Sequence, residues 1–92
     1  MRTQITLAAD ARTLDALAKF LGELEKLSPD PLLPPKAIRG EDNVVYVEVG
    51  YRTEEETFQV GDRMAEVGAD IVEETGVLGA LAPFVVEESR HA

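Results

Sequence analysis

The sequence predicts an α+β domain of β-α-β-α-β order, with one sheet and two helices packed on it. Three observations carry that expectation. Two long stretches repeat apolar residues at helical spacing behind capping residues, Asp10 and Thr53. Val44 to Tyr51 alternates apolar and less apolar residues as a strand does, and Gly76 to Val86 runs uncharged for 11 residues. That run is far short of the roughly 18 to 20 apolar residues that span a bilayer, so it reads as a buried strand.

The chain's 92 residues suffice for one domain, and it has no cysteine, hence neither a disulfide framework nor a thiolate metal site. This composition fits a reducing cytoplasm, and no basic-then-apolar signal segment opens the chain. With 18 acidic and 9 basic residues the net charge is −9, which argues against a nucleic-acid backbone as partner and for a neutral or basic protein.

Thr3 to Ala8 forms the first expected strand, with Thr3, Ile5 and Leu7 on one face. Asp10 then caps a helix running to about Leu27, in which Leu14, Leu17, Phe20, Leu21, Leu24 and Leu27 share one side. Arg12, Asp15, Lys19, Glu23 and Lys26 share the other, and Asp15 with Lys19 makes an i,i+4 pair. Residues 28–43 read as a proline-rich connection holding four of the five prolines, Pro29, Pro31, Pro34 and Pro35. Proline fixes φ and removes a donor, so the expectation is a stiff arm, with a short strand around Ala37 and Ile38 left open. Leu32 and Leu33 are interface candidates within it.

Val44 to Tyr51 is the clearest strand, with Val45, Val47, Val49 and Tyr51 on one face and Val44, Tyr46, Glu48 and Gly50 on the other. Tyr46, Glu48 and Arg52 are ligand candidates near it. Glu48 and Arg52 share a side but stand about 13 Å apart, too far for a direct ion pair.

Thr53-Glu54-Glu55-Glu56 fits a capping box, and the acids suit the positive end of a helix. The helix is expected to reach Thr75 and stop at Gly76. Phe58, Gly61, Ala65, Gly68, Ala69 and Val72 form a small-residue face, expected against the sheet. Val60, Met64, Val67 and Ile71 form a bulky face, expected against the first helix or another subunit. An alternative parse makes Thr57 to Val60 the second strand of a hairpin. Glu54 to Thr75 carries eight acids and one base, seven of the nine net negative charges. The last strand, Leu78 to Val86, contains Pro83, so it is expected at an edge, bulged, or with residue 83 turned from its neighbour. His91, the one histidine, sits in a polar tail with no fixed geometry for catalysis.

No glycine-rich phosphate loop, zinc motif, nucleophile elbow or cysteine-histidine pair is present, which leaves only carboxylate chemistry. From Asp42 to Glu88 the chain has a valine-rich strand, an acidic loop, a helix ending Ala69-Asp70-Ile71-Val72-Glu73-Glu74-Thr75-Gly76-Val77 and an apolar strand with Pro83. This half resembles the C-terminal half of small bacterial nucleotidyltransferase-like domains. That family's chemistry needs a Gly-Ser turn and an Asp-x-Asp pair. Here no Gly-Ser occurs, and Asn43 and Val45 stand where the pair would be, so the resemblance implies a non-catalytic relative and carries over no site residue.

The expectation is therefore a ferredoxin-like sheet or a three-stranded variant, without catalytic residues, metal or cofactor. As a cytoplasmic, non-enzymatic interaction module it would form a homo-oligomer, a dimer first, or bind a basic protein, with neither nucleic acid nor membrane as partner. The alternative is a degenerate nucleotidyltransferase-like or other small-molecule domain using Glu41, Asp42 or Glu48.

Overall fold

The computed structural model describes residues 4–5, 10–40, 42 and 44–86. Its order is β1 (Gln4–Ile5), α1 (Ala11–Leu27), β2 (Leu33–Arg39), β3 (Val45–Tyr51), α2 (Glu54–Thr75) and β4 (Gly79–Val85). The α+β class with one sheet and two helices is as expected. The additional strand is β2, which occupies the proline-rich connection. Of the first expected strand only Gln4 and Ile5 fall within the described residues, as does none of the tail that holds His91.

Strands lie in the order β1-β2-β3-β4. β1 runs parallel to β2 and β3 parallel to β4, while β2 and β3 are antiparallel neighbours. Two adjacent βαβ units are thus joined by a hairpin through residues 40–44.

β2 is the strand left open around Ala37 and Ile38, and its start at Leu33 escapes a sequence reading because prolines cannot donate to a ladder. The register resolves this: Leu33 pairs with Gly50 and Lys36 with Glu48, so the ladder slips by one residue across Pro34 and Pro35. The bulge takes up the two imino residues where ladder bonds are lost. Pro83 is accommodated differently. Val45 N–H donates to Leu78 O and Val86 N–H to Tyr51 O, which turns the even-numbered residues of β4 towards β3. Residue 83 therefore has its nitrogen on the outer side of an edge strand, where no donor is needed.

Both helices end as the sequence indicates. Asp10 accepts from Thr13 N–H at 2.9 Å, and that bond holds its carboxyl below the usual range. Thr53 and Glu56 complete a capping box, and Gly76 closes α2 in the left-handed region at φ 76°. The hairpin alternative for Thr57 to Val60 is overturned, because these residues lie inside α2. A helix capped by Thr53 and Glu56 satisfies its first N–H groups locally, whereas that hairpin has no turn residue to close it.

The core forms where Val45, Val47, Val49 and Tyr51 meet Ala16, Leu17, Phe20 and Leu24 of α1 and Val60, Met64 and Ile71 of α2. Burying one such aliphatic side chain contributes about 1.5–3 kcal/mol. Exposed ion pairs contribute about 0–1 kcal/mol. Lys19 pairs with Glu74 across the helices at 3.5 Å, in place of the expected Asp15, and Lys26 with Glu23 at 3.4 Å; both are exposed. Packing therefore dominates. Leu14 and Leu27, expected on the buried side of α1, are 45% and 38% exposed because they lie near its ends, while Ala16 is buried at the crowded centre. The Tyr51 hydroxyl is buried without a hydrogen-bond partner among the described residues; burial pushes its pKa up, and neighbouring Ser28 offsets part of that.

The small-residue face of α2 meets β4 only in part: Gly68 approaches the strand, while Phe58, Ala65 and Ala69, expected against the sheet, are exposed. A Cβ at Gly68 would stand 3.1 Å from the Gly79 carbonyl, so glycine there permits the close approach of helix and strand. Gly61 has no such neighbour. Gly61→Ala should stabilise the fold by about 0.5–1 kcal/mol, since alanine is the better helix former. Gly68→Ala should give no such gain or a loss, and chemical denaturation of the two variants checks the contrast.

Candidate functional site

The strands present two unlike faces. Positions paired with Val45, Val47, Val49 and Tyr51 face the helices. The alternate positions form a helix-free face of three rows, read across β2, β3 and β4. One row is Leu33, Gly50 and Phe84; the middle row is Lys36, Glu48 and Ala82; the third is Ile38, Tyr46 and Ala80. Leu33 and Phe84 are 43% and 42% exposed, which is high for large apolar side chains in a sheet. Lys36 is exposed, and the other side chains of the lower two rows are half-buried by one another.

Gly50 is the exception, being buried. A Cβ there would come within 2.7 Å of Val86 and 2.9 Å of Leu33. These two side chains close over the glycine, so Leu33, Val86 and Phe84 make a continuous apolar end to the face. Lys36 and Glu48, directly opposite each other, are the charges among the three rows. Opposite charges on facing positions favour this register.

Tyr46, Glu48 and Arg52 do not converge. Tyr46 donates its hydroxyl to Asp42 Oδ2 at 2.8 Å, while Asp42 Oδ1 accepts Val44 N–H at 3.2 Å. The Tyr46 ring also packs against Gly40, where a Cβ would strike it. These contacts brace the β2–β3 hairpin, which is a structural use for Tyr46 and Asp42. Arg52 lies at the far end of β3, about 20 Å away along the strand. Its guanidinium donates to Asp30 O at 3.3 Å, and its N–H to Glu56 Oε1 at 3.1 Å, tying the connection and the start of α2 together. Glu48 alone of the three lies mid-face. Glu41 and Asn43 are outside the described residues.

The interface candidates divide as sharply. Val60, Met64 and Ile71 are 9%, 1% and 6% exposed, and Val67 is packed against the same core. The bulky stripe of α2 is thus the inner side of the domain, not a surface for a second copy. Val60, Met64 and Ile71 belong to the core that α2 shares with α1 and the sheet, and half-buried Val67 packs against it. Leu32, 37% exposed, donates its N–H to Gly50 O and leads into β2, whereas Leu33 lies on the helix-free face. Lys36, Ile38 and Phe84 are the face residues that sequence reasoning missed. Lys36 and Ile38 lay in a segment without a readable period; Phe84 had no assigned side until the register was known.

Among the described residues, no group of three or more histidine, cysteine or acidic side chains could hold a metal ion. None of the helices described is long and apolar enough to cross a membrane. No family model matches the chain, and neither a curated protein nor a solved structure is matched.

The hairpin brace predicts a pH signature. The Tyr46 hydrogen bond, then that from Val44, holds the Asp42 carboxyl below its usual range; Asp42 in turn pushes Tyr46 up. A depressed carboxyl stabilises the fold above its unfolded pKa and loses that contribution as pH falls through the folded one. A raised phenol contributes below its unfolded pKa and loses its share as pH rises through the folded one. The brace is therefore complete between about pH 4 and pH 10. In Tyr46→Phe, carboxyl-detected NMR titration should find Asp42 moved up towards the ordinary carboxylate range.

Proposed function

We propose that this chain is a non-enzymatic protein-interaction module that docks through the helix-free face of its sheet. The observation that carries the reading is the apolar end formed by Leu33, Phe84 and Val86 on a face covered by neither helix. A sheet packed by helices on one side needs polar residues on the other if water is to cover it. Here the rows hold only Lys36 and Glu48 as charges. Contiguous exposed apolar surface of this kind marks interaction sites.

The acidic ridge of α2 is the second part of the reading. Glu54, Glu55, Asp62, Glu66, Asp70, Glu73 and Glu74 are all exposed, and the helix carrying them lies on the opposite side of the sheet from the docking face. Such a ridge suits a basic protein surface and speeds encounter with one more than it adds to affinity. We assign the chain to the cytoplasm on its cysteine-free composition alone. The scattered positions of Tyr46, Glu48 and Arg52 support an interaction role over ligand chemistry.

Site-specific photo-crosslinking in cells tests the docking face. A photoreactive residue replacing Phe84 should yield one discrete protein adduct, identified by mass spectrometry, whereas the same residue replacing exposed Phe58 on α2 should not. An adduct from position 58 with none from position 84 would overturn the assignment.

A further inference from the structure

We propose that the occupant of the helix-free face is a second copy of this chain, seated about a two-fold axis that runs parallel to the strands between β2 and β3. This inference rests on the docking role of that face and names its partner. It is carried by the arrangement of charge.

The whole chain has a net charge of −9, so two copies repel on average. The acids of α2 lie on the helical side, exposed and away from the face. The face itself is electrically balanced, with Lys36 on β2 directly opposite Glu48 on β3 in the middle row. Two copies therefore come together with least repulsion when they meet sheet to sheet.

The same pair selects the axis. A two-fold lying between the faces and parallel to the strands exchanges β2 positions with β3 positions. Lys36 of one copy then stands over Glu48 of the other, twice, and Ile38 stands over Tyr46. A two-fold running across the strands would set Lys36 over Lys36 and Glu48 over Glu48. Facing sheets pack about 10 Å apart, a gap that extended lysine and glutamate side chains can bridge from opposite sides. Desolvation offsets much of the attraction of a covered ion pair, so the apolar rows supply affinity and the charges fix orientation.

Other apolar surfaces serve a second copy less well. The outer edge of β4 is blunted by Pro83, and the groove between β4 and α2, walled by Gly61, Met64, Ala65, Gly68, Ala69 and Val72, holds no charge pair to orient a second copy. Under this axis β2 and β3 lie over each other, a flat footprint of about 220 Å² from their spacing and rise, and β4 stands over the partner's β1 side. Standard interfaces use about 800 Å² per partner, so the dimer is reversible and set by concentration.

Sedimentation equilibrium from micromolar to millimolar concentration tests this. The parent chain should pass from monomer to dimer. Lys36→Glu, which brings four carboxylates to the centre, and Glu48→Lys, which brings four ammonium groups, should each raise the dissociation constant at least about tenfold. An equimolar mixture of the two variants should restore a dimer containing one of each, and circular dichroism should find both folded. A parent chain that stays monomeric at millimolar concentration, or a mixture that stays monomeric, overturns the pairing. If position 84 still cross-links to a different protein in that case, the docking face stands and only the second copy falls. If position 84 captures nothing, both fall.

Discussion

The structure depends on one buried row. Val45, Val47, Val49 and Tyr51 are at most 3% exposed, and every other element is placed by what it contributes to covering them. α1 and α2 bring their apolar stripes to this row from the same side. β4 joins β3 in parallel, which demands the crossover that α2 provides. β2 adds Ala37 opposite Val47 and so extends the same buried face. Once the helices are committed to one side of β3, its alternate residues must face away from them, because strand side chains alternate without exception along an unbulged ladder.

That alternation links the core to the proposed function. The sequence spends its acids on the helices, whose outer surfaces meet water, and leaves the reverse of the sheet nearly free of charge. In the proposed reading, charge and association lie on opposite sides of one molecule. Small domains bury a limited fraction of their surface, and sharing a sheet face with another chain is one route to a larger core. The hairpin brace of Asp42 and Tyr46 and the tie from Arg52 to Asp30 hold β2 and β3 in register at either end. Lys36 and Glu48 thereby keep fixed positions between them.

Much of this was legible in the residues, for physical reasons that differ from element to element. Asp10, Thr53 with Glu56, and Gly76 act locally, so their roles could be read from spacing alone. The two faces of Val45 to Tyr51 follow from period two. β2 was visible only as an open possibility around Ala37 and Ile38, because Pro34 and Pro35 suppress the strand signal that Leu33 to Arg39 would otherwise give, and their bulge is intelligible only beside β3. The stripe of Val60, Met64, Val67 and Ile71 was visible as apolar, but periodicity cannot distinguish a neighbouring helix from another subunit. The docking face required the register of three strands, two of them distant in sequence, and no local pattern contains that information.

The account rests on a sheet with one face closed by the helices and the other open until a partner covers it. The absence of cysteine allows a direct measurement, the alkylation rate of single thiols introduced by Val47→Cys and Ala82→Cys. At position 82 the thiol should react readily in dilute solution and slow as protein concentration rises, while at position 47 it should react only as fast as the domain opens. A thiol at position 82 that is protected even at high dilution would contradict the open face, and one that reacts at a single rate at every concentration would contradict a second copy as its cover.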